Sequence, residues 1–232
     1  LIKENLEKIR ESIGKVSQKV NRSINDITLI AVSKTYPVSD IEQAIALGCR
    51  DFGENRVQEL IDKIDKVDTP VNWHLIGNLQ TNKVKYLIGK TKLIHSVDSI
   101  KLVQEIQKQS IKKGILTDVL LEVNVGRETS KHGILIEETM EYVKQISGLS
   151  HVRMKGLMTV APYVENPEEN RQIFRQLYDL SVDIQKQKLN NISTGVLSMG
   201  MSNDYEIAIE EGATMIRVGT NIFGDRNYTY SK

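Results

Sequence analysis

Eight short β-rich runs alternate with amphipathic helical stretches from one end of this chain to the other, an order that few architectures accommodate. The runs are "ITLIAVSK", "DFGEN", "VNWHLIG", "LIHSVDS", "TDVLLEVNV", "VRMKGLMTV", "GVLSMGMS" and "MIRVGTNIFG". Most are continuously apolar and lack the alternation of a half-exposed antiparallel sheet, so they read as parallel strands covered on both faces. The intervening stretches carry helix signals. Ser39 with Glu42, and Asn203 with Glu206, have capping-box spacing, and Gly48 and Gly212 supply C-terminal stops. Leu6, Ile9, Ile13 and Val16 recur at helical spacing and predict an additional helix at the N-terminus. No Pro/Gly-rich linker, low-complexity tract or charge block divides the sequence, so residues 1–232 are expected to form one domain. Eight βα units in 232 residues suggest an α/β fold of the (β/α)₈ barrel type with an extra N-terminal helix. The competitor is an open doubly wound sheet. The first strand lacks G-x-G-x-x-G, which removes only the dinucleotide-binding version of that competitor.

Charge and cysteine content narrow the setting. The 31 basic and 30 acidic residues nearly cancel, so no bulk field draws the protein to nucleic acid or an anionic membrane. Charges interrupt the opening "LIKENLEKIRESIGKVSQKV", which is neither a secretory core nor a membrane span, and no later segment approaches the roughly 20 apolar residues that crossing requires. The single cysteine, Cys49, rules out an intrachain disulfide framework and fits a reducing compartment. A cytoplasmic protein is expected.

In a barrel enzyme the chemistry lies at the C-terminal ends of the strands. Lys34 ends the first run, where a lysine aimed into the barrel mouth loses hydration and becomes an amine able to attack a carbonyl. Lys155 is the other candidate, but it precedes the apolar part of its strand. The seventh run places Ser198, Gly200 and Ser202 before a helix N-terminus, and the eighth ends in Gly219, Thr220 and Gly224. Such glycines and hydroxyls let a backbone approach and donate to a phosphate. Arg217 shares a strand face with Gly219, and an interior arginine implies a ligand or a carboxylate partner. Asn55 and His74 also lie at or near strand ends, where a satisfied core polar group is the commoner fate. The four histidines and one cysteine show no metal-ligand spacing, and no G-x-S-x-G, P-loop or kinase signature is present.

The segments "AVSKTYP", "FGENRVQE", "WHLIGNLQTNKVK", "HSVDS", "LEVNVGRETSKHG", "GLMTV", "LSMGMSNDYEIAI" and "GATMIRVGTNIFG" resemble, in this order and nearly end to end, the pyridoxal 5′-phosphate (PLP) homeostasis proteins, which are alanine racemase N-terminal-domain-like. The resemblance implies a (β/α)₈ barrel holding one PLP as a Schiff base on the first-strand lysine, here Lys34. It implies phosphate contacts from Ser198, Gly219 and Thr220, pocket neighbours in Met199 and Asn55, and Arg217 near the pyridine nitrogen. An arginine there weakens the cofactor as an electron sink. The family is regarded as binding and passing on PLP without established turnover, so no catalytic residue is assigned. Apo PLP-dependent enzymes are the implied acceptors, and the state implied is a monomer, with a dimer as the alternative. Racemases of this type add a C-terminal β-domain, for which little chain follows the eighth strand. Two other readings stay open. One is a weak PLP-dependent racemase with Tyr36 or a tyrosine of the tail "NYTYSK" as second base; the other is a cofactor-free Schiff-base aldolase using Lys155.

Overall fold

The periodic N-terminus folds as helix α1 (Ile2–Lys19), with Leu6, Ile9, Ile13 and Val16 buried along one stripe. The computed structural model describes residues 1–128 and 132–225. After α1 come β1 (Thr28–Val32), α2 (Val38–Ala46), β2 (Asp51–Glu54), α3 (Val57–Ile64), β3 (Asn72–Leu75), α4 (Val84–Leu87), β4 (Leu93–Val97) and α5 (Ile100–Lys113). The second half runs β5 (Thr117–Glu122), α6 (Ile136–Ser147), β6 (Val152–Met158), α7 (Arg171–Lys186), β7 (Ile192–Met201), α8 (Tyr205–Glu210), β8 (Met215–Val218) and α9 (Thr220–Phe223). The strands pair in parallel in chain order and β8 returns to β1, so the sheet closes. The open-sheet alternative is thereby excluded.

Closure divides the side chains by strand phase. One phase faces the helices and builds the main core, in which Ala31, Phe52, Leu75, Leu121, Leu197 and Met199 pack with the apolar helix faces. The other phase fills the barrel. There Leu93, Leu120 and Met158 form a small separate apolar cluster, with Val160, Val196 and Met215 against it. The polar residues in that inward phase are the ones that build the site.

Three local expectations are corrected. Helix α2 begins at Val38 with Pro37 as its N-cap residue, so Ser39 lies inside the first turn and makes no capping box. Proline's fixed φ suits that boundary. Helix α8 is preceded by Asp204, while the Asn203 side chain donates to the Val164 carbonyl at 2.8 Å. The eighth run is strand only as far as Val218; beyond Gly219 the stretch "TNIF" turns into α9.

Candidate functional site at the barrel mouth

At the C-terminal ends of the strands the inward phase opens into a cavity of about 390 Å³. Val32, Lys34, Asn55, Ile76 and Val160 form one part of its wall, and Arg217, Gly219, Thr220, Met201 and Ser202 another. Pro162, Tyr163, Asn203 and Asp204 complete the rim. Asp204 fixes the rim's shape: Oδ1 accepts from the Met201 amide at 2.7 Å and Oδ2 from Asn170 Nδ2 at 2.8 Å. Asn170 Nδ2 also donates to the Pro162 carbonyl, so the loops after β6 and β7 are stapled together.

Lys34 lies two residues beyond β1, half-buried on the cavity wall. Its chain neighbours are clamped from outside the barrel. Lys63 Nζ donates to the Ser33 carbonyl at 2.7 Å, to Glu54 Oε1 at 2.8 Å and to Glu59 Oε1 at 2.7 Å. Ser33 Oγ donates to Glu54 Oε1 at 2.5 Å, and the Thr35 amide donates to Glu59 Oε1 at 2.6 Å. Thr35 adopts φ of +69°, a left-handed conformation that a β-branched residue keeps only when its surroundings enforce it. Burial pushes the Glu54 carboxyl up, against the pull of Lys63 and the Ser33 hydroxyl. The clamp removes freedom from the turn that carries the lysine.

Arg217 is 4% exposed. It donates from Nη1 to Ser198 Oγ at 2.6 Å and from Nη2 to the Thr159 carbonyl at 2.8 Å. Burial pulls its pKa down to about 10, while Glu122 and Asp204 pull the other way; the guanidinium is still cationic at neutral pH. Both acceptors are neutral, so no carboxylate in hydrogen-bond contact cancels the charge. Glu122, the last residue of β5, is pushed up to about 7 by burial and by Asp98, with Arg217 opposing. Inside the barrel below Arg217, Ser198 meets His95, His95 meets His74, and His74 meets Asp51.

Of the residues expected from sequence, Lys34, Asn55, Arg217, Gly219 and Thr220 line one cavity. Ser198 lies beneath it, bonded to Arg217 and His95, and Met199 takes the outward phase into the main core; neither lines the cavity. In that loop the cavity wall is Met201 and Ser202 instead. His74 is a satisfied interior group, the commoner fate expected of a polar residue at that place in its strand. Lys155 sits mid-strand in β6, away from the cavity. Tyr36 donates its hydroxyl to the Gly224 carbonyl at 2.6 Å and packs on Phe223, while the tail tyrosines lie outside the described residues. His95, Glu122 and the Lys63 clamp were missed. For His95 the sequence offered only a polar residue in an apolar run; it is the β3–β4 register of His74 with Leu93, seen in the structure, that puts His95 on the same face as His74.

The alanine racemase N-terminal domain family matches residues 4–227. A pyridoxal phosphate homeostasis protein of Aquifex aeolicus is 46% identical over 226 residues, covering 97% of this chain and 98% of that protein. The chain belongs to the pyridoxal phosphate homeostasis proteins. A member of the family from Pseudomonas aeruginosa is 37% identical over 228 residues, with 98% and 96% coverage. The PipY structure of Synechococcus elongatus PCC7942, which has PLP bound, is similar at a TM-score of 0.84 and 34% identity, covering 97% of this chain and all of that one. Alanine racemase of Clostridium difficile 630 shares the barrel at a TM-score of 0.76 with 14% identity, and 57% of its chain is covered. That likeness speaks to the fold alone. Among the described residues no helix is long and apolar enough to cross a membrane, and no cluster of three or more His, Cys, Asp or Glu side chains could hold a metal ion.

Proposed function

We propose that this protein binds PLP at the barrel mouth, with Lys34 holding it as a reversible Schiff base, and that it serves PLP homeostasis by storing and releasing the cofactor. The observation that carries this reading is the convergence of an amine, a neutral-partnered guanidinium and a hydroxyl-and-glycine wall on one cavity. The donor set fits the cofactor. Lys34 supplies the amine for an aldehyde. Ser202 and Thr220 supply hydroxyls for a phosphate. Gly219 holds the backbone against β1, since a Cβ there would lie 3.2 Å from the Val32 carbonyl oxygen. Bound PLP supplies an electrophilic carbonyl and a conjugated ring able to accept electrons. Arg217, cationic and without a carboxylate on it, disfavours a proton on a nearby ring nitrogen and so limits that electron-accepting role.

The same residues favour binding over turnover. A racemase needs a base on each face of its substrate. Tyr36, the candidate in the first loop, spends its hydroxyl on Gly224. Tyr163 lines the cavity but is 84% exposed, so its hydroxyl is in water and not desolvated beside the lysine. Asn55 offers an uncharged amide to the ligand. Acceptors on this reading are apo PLP-dependent enzymes. Loaded protein mixed with such an apoenzyme should restore its activity faster than an equal concentration of free PLP. Restoration no faster than with free PLP would count against the storage and release role. Solvent deuterium incorporated at the α-carbon of an amino acid would count instead for a weak racemase.

A further inference from the structure

A hydrogen-bond chain crosses the inside of the barrel, from the N-terminal floor to the cavity wall. Asp51 opens β2 at the floor, with its side chain 17% exposed. Its Oδ1 lies 2.9 Å from His74 Nε2, and His74 Nδ1 lies 2.9 Å from His95 Nε2. His95 Nδ1 is 2.9 Å from Ser198 Oγ, which accepts from Arg217 Nη1 at 2.6 Å. His74, His95 and Ser198 are fully buried.

The two ends set the direction of every bond between them. A carboxylate only accepts and a guanidinium only donates. Burial opposes ionisation of Asp51, but His74 and Lys92 hold its carboxyl below the usual value, so it is the accepting end. His74 therefore carries its proton on Nε2, which leaves Nδ1 as an acceptor for His95 Nε2–H. His95 Nδ1 then accepts from the Ser198 hydroxyl, whose oxygen takes the Arg217 proton. Each hydrogen has one acceptor, with both imidazoles neutral. A further proton on His74 would reverse the next two bonds, leave the Ser198 hydroxyl proton without an acceptor in the chain, and add a positive charge to an interior that already holds Arg217.

We propose that Asp51, His74, His95 and Ser198 are positioning residues for Arg217, a one-way chain anchored at the barrel floor that aims at the cavity a guanidinium with no carboxylate in hydrogen-bond contact. This rests on the PLP reading only for what Arg217 faces; the chain is a property of the protein without ligand. The arrangement gives Ser198 a definite duty. Its proton is committed to His95 and its oxygen to Arg217, so the hydroxyls left to hold a phosphate at the wall are Ser202 and Thr220. The sequence Ser, His, His, Asp is also not a nucleophile system, because Ser198 lies off the cavity with a guanidinium on its oxygen.

Two measurements test the chain. In ligand-free wild-type protein, ¹⁵N NMR of the imidazoles at neutral pH should show His74 and His95 neutral and protonated on Nε2. An Nδ1–H tautomer or a protonated ring at either residue overturns the proposal. In PLP titrations followed by absorbance, His95→Leu should weaken binding about 10-fold and shift the absorption band of the loaded protein. His95→Gln, whose amide can accept from Ser198 and donate to His74, should recover most of both. Asp51→Asn, which removes the anionic anchor, should leave His74 in mixed tautomers and weaken binding by a smaller factor. Unchanged affinity and spectrum in both His95→Leu and Asp51→Asn would overturn the positioning role. Wild-type protein that takes up no PLP would instead remove the PLP reading, and the tautomers of the ligand-free protein would still decide the chain.

Discussion

Arg217 on β8 and Glu122 on β5 both belong to the inward phase, from non-adjacent strands of the barrel, as a buried cation and a carboxyl raised to about 7, without a direct hydrogen bond between them. The raised carboxyl sets a sign for the pH dependence of stability. Below the ordinary value of 4.5, Glu122 is protonated whether the chain is folded or not. Between 4.5 and about 7 the folded chain keeps a proton that the unfolded chain has lost, so stability falls as pH rises through that window, by roughly 3 kcal/mol at most. Glu122→Gln removes this loss. In urea unfolding from pH 5 to pH 8, the variant should gain on the wild type as pH rises, and a difference that stays flat would show that Glu122 is not held protonated. Neither Glu122 nor His95 was legible as a site residue in the sequence. An isolated polar letter in a β-run gives its phase only when the strand register is known, and register is a property of the neighbouring strands. Lys34 and Arg217 were legible because strand-end placement and alternation are local.

At Gly156 the backbone of β6 lies against that of β7 with no room for a side chain. A Cβ on Gly156 would lie 1.7 Å from the Val196 carbonyl oxygen, beside a shift in register between Met154 and Gly156. Gly156→Ala must therefore push β7 away, and β7 carries Ser198 and Met201 and leads directly into Ser202 of the cavity wall. The expected loss is about 3 kcal/mol or more, read as a lowered urea midpoint with PLP binding weakened in the fraction that still folds. A variant with wild-type midpoint would contradict the close approach. At this scale the order and number of strands could be read in advance, since each is a short apolar run between turn signals. Element ends could not. Ser39 and Asn203 have capping-box spacing, yet Pro37 and Asp204 precede the helices, because a cap depends on where the incoming chain turns as well as on residue type.

The closed barrel explains why residues as far apart in sequence as Lys34, Asn55 and Arg217 line one cavity. Each lies in the inward phase at or just beyond the C-terminal end of its own strand, and closure brings the strand ends to one rim. Eight alternating units made that architecture legible. The shape of the rim was not, because it comes from the Asp204–Asn170 staple and the Lys63 clamp, contacts between segments 34 and 30 residues apart whose polar letters look like ordinary surface composition. The most direct test of the whole arrangement is chemical. After incubation with PLP and reduction by borohydride, peptide mapping should find a single pyridoxyl group, on Lys34. A protein that acquires no pyridoxyl group, or one that carries it on Lys155, would contradict the assignment of the barrel mouth as the PLP site.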